Sequence, residues 1–327
     1  MARIYDIPTK YVNITETQFN KLLKQIEEQQ YTASELEIRT ELNDKFHENK
    51  LCDRRVILLA QALKQNPYIQ KLSLIVQSIA DDGAKALSEI ESLTDVDVGY
   101  NSIRAEGAAA LVNANLTRLS IEQNSDLDKG VGERVVVMYE AFAENQTITE
   151  INLNWTWIGN STLAKIIEGN KSIKKLHLVH NHPYIEGLRP IADNKTLQYL
   201  DLSECELRDE AAEIISKNSS LLTLIVNISN ITNKGGAFLS THPTLRILHI
   251  KDSEMTAAGL ECFLHSNLRT VVPDNETKTK ISEFEICEFE RAFRCIREEK
   301  EHLLTNSIYG QAVDLGGDVN ASDTGAE

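Results

Sequence analysis

A triplet of aliphatic residues with the spacing LxxLxL recurs eight times along this chain of 327 residues. Successive triplets begin 24, 23, 32, 25, 24, 24 and 24 residues apart. They are Ile69/Leu72/Leu74, Leu93/Val96/Val98, Leu116/Leu119/Ile121, Ile148/Ile151/Leu153, Ile173/Leu176/Leu178, Leu197/Leu200/Leu202, Leu221/Leu224/Val226 and Leu245/Leu248/Ile250. Each period has room for a short strand and a helix, which can bury their apolar sides only by stacking on the next unit. The pattern therefore predicts an α/β solenoid, curved like a horseshoe, with a parallel sheet on the concave face and helices on the convex face.

Two further positions repeat with the triplets. The ninth position of the repeat holds Asn101, Asn124 and Asn181 in three units and other polar or small residues elsewhere. We expect these side chains to hydrogen-bond backbone groups of adjacent coils, because a buried backbone N–H or C=O needs a partner. The helices open with small residues, as in Gly83 to Leu87 and Gly107 to Leu111, which we expect to let each helix approach the strand layer.

The GAxAL helix openings and the period near 24 resemble ribonuclease-inhibitor-like leucine-rich repeats, in the short form called GALA-type in bacterial effector proteins. The resemblance covers roughly residues 69 to 270. It implies a non-enzymatic scaffold that binds a protein partner on its concave face, as a bacterial effector exported into a host cytosol without a Sec signal peptide. GALA-type effectors often carry an F-box, so the alternative is a substrate-recognition adaptor of a ubiquitin ligase, although Ile7-Pro8 with Phe19, Leu22 and Leu23 matches an F-box poorly.

The repeats are flanked by segments of different composition. Residues 1–68 are predicted to be an N-terminal cap that contains an amphipathic helix over roughly 16–29, begun by Thr15 and Gln18, and a degenerate first repeat. Residues 69–271 hold the eight regular repeats, which end where Pro273 takes the third apolar position of a ninth triplet. Residues 272–306 are predicted to form a C-terminal capping helix, and 307–327 a disordered tail, which is either frayed or an export signal.

Charge and composition limit the function further. A net charge of −15 and a pI near 5.1 argue against binding to nucleic-acid phosphates, which needs clustered Lys and Arg. No apolar run approaches 18 residues, so we expect no membrane insertion, and five cysteines without a CxxC pair favour a reducing, cytoplasmic location. Triplets of the form NxS/T, such as those at Asn145, Asn170, Asn194 and Asn218, either accept glycans or form turns between helix and strand. We favour turns, and we expect a monomer.

The predicted sheet places polar and aromatic side chains on its open face and at the ends of its strands. In each strand, the residue between the second and third aliphatics points away from the core, and a row of such residues stacks from coil to coil. Aromatic residues carry much of the energy of protein interfaces, so Trp155, Tyr100 and Tyr199 are the candidate anchors. The candidate partner-binding residues are Asp97, Tyr100, Asn152, Trp155, His177, His180, Tyr199, Asp201 and His249.

No motif of the sequence indicates a metal site or a catalytic centre. His177, His180 and His182 have the spacing HxxHxH, but they are predicted to project from a strand, its exit and the following bend. Three such positions do not converge on one ion, so we predict a surface histidine cluster and no metal or cofactor. The chain has no GxSxG, no phosphate-binding glycine loop and no HExxH, so we expect no enzymatic activity.

Overall fold

The computed structural model describes residues 8–41, 50–124, 127, 133–273, 290–295 and 297–298. In this part of the chain, eleven strands form one parallel sheet in which each strand pairs with the next in sequence. The strands are β1 (Lys10–Val12), β2 (Glu35–Arg39), β3 (Lys71–Ile75), β4 (Asp95–Asp97), β5 (Arg118–Ser120), β6 (Glu150–Asn152), β7 (Lys175–His177), β8 (Tyr199–Asp201), β9 (Thr223–Ile225), β10 (Ile247–His249) and β11 (Thr270–Val272). The helices are α1 (Glu16–Glu27), α2 (Cys52–Leu63), α3 (Asp81–Ser88), α4 (Ala105–Asn113), α5 (Glu133–Glu144), α6 (Asn160–Gly169), α7 (Ile185–Leu188), α8 (Asp209–Ser216), α9 (Asn233–Ser240) and α10 (Ala257–Leu260).

The predicted solenoid is confirmed by the register of this sheet. Leu72 of β3 pairs with Val96 of β4, and Val96 pairs with Leu119 of β5, so that the second aliphatics of successive triplets form one row. All the triplet residues are buried, with exposures of 6% or less, and they belong to one continuous core. The chain is thus an α/β leucine-rich-repeat solenoid, because every unit completes the core of its neighbour.

The sheet is longer than the eight regular repeats. β11 pairs with β10 through Leu248 and Val271, and it ends just before Pro273. At the other end, β2 pairs with β3 over five residues, and β1 adds an edge strand that the LxxLxL pattern did not indicate. The terminal segments therefore share the sheet of the repeats, while the exact division of the chain into caps and repeats stays a prediction.

The ninth-position ladder is confirmed at its asparagines. The Nδ2 of Asn101 donates to the carbonyl of Leu74 in the preceding coil at 2.8 Å and to Val98 in its own coil at 2.9 Å. Its Oδ1 accepts from the backbone N–H groups of Gln77 and Ile79. One side chain thus satisfies four backbone groups of two coils.

A second ladder runs between the helices and the following strands. The Nδ2 of Asn218 donates to the carbonyls of Ile191 and Asn194 in the preceding coil, and its Oδ1 accepts from the N–H groups of Ser220 and Leu221. Asn66, Asn145, Asn170 and Asn194 make the same kinds of bonds in their repeats. This confirms the turn interpretation of the NxS/T triplets, since the amides of Asn170, Asn194 and Asn218 are buried and already bonded.

The helix glycine Gly107 lies against the preceding helix and not against the strand layer. A Cβ built on Gly107 would lie 2.9 Å from the Cα of Asp81 and 3.0 Å from the Cβ of Ala84, both in the preceding helix, α3. The expectation that the glycine serves approach to the strand layer is therefore wrong for this residue. Close helix stacking lets the Asp81 carboxylate accept from the N–H groups of Arg104 and Gly107, at 2.8 and 3.0 Å, and so cap α4.

The predicted helix at the N-terminal end is confirmed, with bounds of Glu16–Glu27. Thr15 and Gln18 form the reciprocal bonds of a capping box, which satisfy two N–H groups that have no partner within the helix. At the other end, residues 290–295 and 297–298 are helical, and the side chain of Phe293 packs on the continuous core. The start of the predicted C-terminal helix and the tail at 307–327 lie outside the described residues.

Candidate protein-binding surface

In each of the eight repeats, the residue two positions after the third aliphatic of the triplet has a left-handed backbone conformation. These residues, which we call the strand-exit row, are Val76, Tyr100, Gln123, Trp155, His180, Glu204, Ile228 and Asp252, with φ between 50° and 59°. Such a conformation costs a non-glycine residue about 1 kcal/mol or more. It is held by the neighbouring coil, because the N–H of Tyr100 donates to Glu122, that of Trp155 to Val179 and that of His180 to Ser203, at 2.8 to 3.0 Å. The row is therefore a rigid edge of the sheet.

A second set of left-handed residues lies two positions later in four repeats. These are Ser78, Trp157, His182 and Glu206, with φ between 48° and 56°. We call this position of the repeats the bend row. Sequence reasoning missed the left-handed backbone of both rows, since neither contains the glycine that usually marks it.

The rings of Trp155, Trp157, His180 and His182 lie together, and we call these four residues the aromatic cluster. The rings of Trp155 and His180 stack with centroids 3.5 Å apart and planes at 13°. Trp157 meets His180 edge-on at 5.4 Å and tilts against His182 at the same distance, and the two histidine rings lie 4.7 Å apart. The three contacts between a tryptophan and a histidine join neighbouring coils, so the cluster depends on the stacking of β6 on β7. Trp157 stays 50% exposed.

His177 and Tyr199 form a separate group on the open face of the sheet. Their rings lie 4.8 Å apart, and the Nε2 of His177 is 3.8 Å from a carboxylate oxygen of Glu150. Burial lowers the pKa of His177 and raises that of Tyr199 to about 12, so both are neutral at pH 7. Burial alone would raise the pKa of Glu150, but hydrogen bonds from Lys175 and Arg118 outweigh it and lower that pKa. The group therefore presents two neutral rings beside the Glu150 carboxylate, whose charge is already paired with Arg118 and Lys175.

Asp97, Tyr100 and Asn152 form a third group around Glu122. The Nδ2 of Asn152 donates to Glu122 at 2.8 Å, and Asp97 accepts from the N–H of Gly99 at 3.0 Å. Burial raises the pKa of the Asp97 carboxyl, and burial together with Glu122 raises the pKa of the Tyr100 hydroxyl. These side chains are fixed by their neighbours and still have hydrogen-bonding capacity towards solvent.

The last two predicted residues lie towards the C-terminal end of the sheet. Asp201, on β8, accepts from the N–H and the hydroxyl of Ser203 at 3.0 and 2.7 Å. Burial, followed by the charge of Lys251, lowers the pKa of His249 on β10. The predicted residues thus form an extended surface over β4 to β10 and its edge, and no single pocket contains them all.

The described residues do not support a metal centre or a reactive thiol. Among them, no group of three or more His, Cys, Asp or Glu side chains is placed to hold a metal ion, and His177 is apart from the aromatic cluster. Burial raises the pKa of Cys205 and of Cys262 to about 11, so both thiols are protonated and weakly nucleophilic at neutral pH. In the part of the chain that the structure describes, every helix is too short or too polar to cross a bilayer.

Comparison with known proteins supports the repeat assignment. The family model described as "Leucine Rich repeat" matches residues 90–112, 144–166 and 193–216. Ribonuclease inhibitor from Sus scrofa is 22% identical over 225 residues, which are 62% of this chain and 49% of that protein. NACHT, LRR and PYD domains-containing protein 14 from Mus musculus is 23% identical over 291 residues, which are 79% of this chain and 29% of that protein. The chain thus spans about half, or less, of the length of these relatives.

Two solved structures also match this chain, at a lower level of similarity. An internalin from Listeria monocytogenes has a TM-score of 0.47 and 20% identity, and the match covers 68% of this chain and 58% of that one. The complex of Rad7 and Elc1 from yeast has a TM-score of 0.45 and 11% identity, and the match covers 83% and 85% of the two chains. The spacing of the triplets, the eleven-stranded parallel sheet of the described residues and the local family matches show that this chain has the leucine-rich-repeat architecture, with sequence similarity to ribonuclease inhibitor.

Proposed function

We propose that this chain is a non-enzymatic scaffold that binds a protein partner across the open face of its sheet and along the strand-exit row. The aromatic cluster carries the proposal. Trp155 and Trp157 lie on a rigid edge, and Trp157 exposes half of its surface although it is among the largest apolar side chains of the protein. Burying such a ring against a partner gains apolar contact without a large loss of conformational entropy.

The polar residues beside the cluster support the same function. Asp97 on β4, Asn152 on β6 and His177 on β7 are half-buried, so a partner could use their free lone pairs and N–H groups while water is excluded. Fixed polar groups around aromatic anchors are typical of protein interfaces. An enzyme site would instead need a nucleophile and base, or a metal, within reach of one another.

A partner captured from lysate allows a direct test of the surface. We expect the variants Trp155→Ala, Tyr199→Ala and Tyr100→Ala to weaken binding by more than about 2 kcal/mol in total, or roughly thirtyfold in Kd. Tyr68→Ala is the matched control, because Tyr68 is 46% exposed and lies in the turn before β3, away from the sheet face. Equal losses in Tyr68→Ala, or no loss in the three sheet variants, would remove the binding surface from the proposal.

The resemblance to GALA-type repeats supports a further part of the proposal, that the partner is a host protein and that the chain acts as a bacterial effector in the host cytosol. Its test is capture by the full chain from host-cell lysate, followed by mass spectrometry. The full chain is needed because β2 pairs with β3 over five residues, so the N-terminal segment is part of the common sheet. If capture recovers ubiquitin-ligase adaptor proteins and is lost in Val12→Asp, an exposed change on β1, the adaptor role replaces the simple scaffold.

A further inference from the structure

The strand-exit and bend rows carry charge of one sign. Their described members include four carboxylates, Glu204, Glu206, Asp252 and Glu254, and no Lys or Arg. Among the basic residues of the sheet face, Arg118 and Lys175 are paired with carboxylates in the strands themselves, whereas Lys251 directly precedes Asp252, at the end of the edge away from the aromatic cluster. The edge beside the aromatic cluster is therefore acidic, whereas the sheet face is closer to neutral.

The aromatic part of this edge continues into a cavity. The cavity opens beside the cluster and is lined by His182, Tyr184, Leu207, Glu206 and Glu210, with Arg208 as its one basic residue among those described. Tyr184 is 72% exposed. Such a large exposed aromatic surface, next to two carboxylates and one basic residue, favours a partner group that is flat and cationic.

The coils set the distance between the aromatic and the acidic groups. Neighbouring strands of a sheet lie about 4.8 Å apart, so the coil of Trp157 and the coil of Glu206 are about 10 Å apart, with the coil of His182 between them. An extended peptide advances about 3.3 Å per residue, so about three residues span this distance. The Nδ1 of His180 is 3.5 Å from the carboxylate of Glu204, so that carboxylate lies at the border of the aromatic cluster.

We propose that an extended, arginine-bearing segment of a partner protein lies along this edge, with a guanidinium group against the ring of Trp157 or Tyr184 and paired with Glu204 or Glu206. Arginine fits better than lysine because its planar guanidinium can stack on an aromatic face and bond a carboxylate with two N–H groups at once. The assignment rests on the proposed scaffold function and adds the chemistry of the partner.

Tryptophan fluorescence tests this site in the full chain, because Trp155 and Trp157 are its only two tryptophans. The probes are three peptides of equal length in a Gly/Ser background, with two arginines, two lysines or two citrullines at the same positions. Citrulline keeps the shape of arginine without its charge. We expect the arginine peptide to change the emission saturably, the lysine peptide to bind more weakly, and the citrulline peptide to have no effect.

Substitutions locate the binding on the edge. We expect Glu204→Gln with Glu206→Gln to weaken the arginine peptide about tenfold, and Trp157→Ala to weaken it about fivefold with Trp155 as the remaining reporter. Glu168→Gln with Glu261→Gln is the matched control, since both side chains are exposed and lie on the helices, away from the edge. Raising the salt concentration should weaken the arginine peptide and leave the order of the variants unchanged.

Three results would overturn the inference: equal binding of the citrulline peptide, equal loss in the control pair, or no loss in the edge variants. A fourth result that would overturn the inference is an arginine peptide that leaves the tryptophan emission unchanged. In that case, partner capture that still depends on Trp155 and Tyr199 leaves the scaffold function standing, so the two proposals fail separately.

Discussion

His242 replaces asparagine in the second ladder, and this exchange makes the stability of its repeat depend on pH. The ring is 2% exposed, and its Nδ1 accepts from the N–H groups of Thr244 and Leu245, as Oδ1 of Asn218 does one repeat earlier. Only a neutral imidazole has a nitrogen that accepts a hydrogen bond. Burial accordingly lowers the pKa of His242 from 6.5 to about 4, although the Ile215 carbonyl favours the charged form.

The magnitude follows from the two pKa values. Between pH 6.5 and 4 the unfolded chain binds a proton at His242 that the folded chain does not bind, so the free energy of unfolding falls as the pH falls. The full difference of about 2.5 in pKa corresponds to roughly 3 kcal/mol, which is present above pH 6.5 and lost by about pH 4. His242→Asn removes the titration but keeps an acceptor for the two N–H groups, and it restores the side chain that holds this position in the preceding repeat.

Urea unfolding followed by circular dichroism, at pH 7, 5.5 and 4.5, measures this effect as the difference between the two proteins. We expect His242→Asn to match the native chain at pH 7 within about 1 kcal/mol and to become the more stable protein as the pH falls. His242→Ala is the control, because it loses the acceptor at every pH and should be destabilised by about 1 to 3 kcal/mol at pH 7. A difference between the Asn variant and the native chain that stays constant from pH 7 to 4.5 would refute the reasoning.

Three further predictions concern the core of the solenoid. Gly107→Ala should lower the free energy of unfolding by about 1 kcal/mol or more, because its clash with the preceding helix exceeds the gain in helix propensity. Gly99→Ala is the control and should change the free energy of unfolding little, because the nearest contact of its added Cβ is a side-chain oxygen at 3.2 Å. Thermal unfolding compares the two variants. Asn101→Ala removes the side-chain bonds to the carbonyl of Leu74 and to the N–H groups of Gln77 and Ile79, while the Val98 carbonyl keeps its bond from Asn124. The variant should cost about 2 to 4 kcal/mol in urea unfolding, and a loss under 1 kcal/mol would contradict the ladder. In the native protein at pH 8, iodoacetamide should alkylate Cys205 and Cys262 more slowly than after unfolding, as peptide mass spectrometry can measure, because burial raises both pKa values to about 11.

The repeat positions that face the core were predictable, whereas the contacts of the candidate site were only partly so. The LxxLxL spacing predicted the buried rows and the side of the sheet on which Asn152 and His177 project, because side chains alternate along a strand. It could not predict that Trp155 stacks on His180, since that contact joins residues of two coils and depends on their left-handed backbone. The edge strand β1 was missed because its three residues lack the aliphatic triplet.

The sequence by itself determined that this chain is a stack of similar units, because an aliphatic pattern of fixed period can be buried only in a shared interior. It also determined the overall acidity and the presence of just two tryptophans. The tertiary structure alone decided what lies between the coils: the second ladder, in which Asn218 donates to carbonyls of the preceding coil, the capping of one helix by the aspartate of the previous helix, and the stacking of Trp155 on His180. These features join residues more than 20 positions apart, and they arise only when stacking brings one coil within hydrogen-bonding distance of the next.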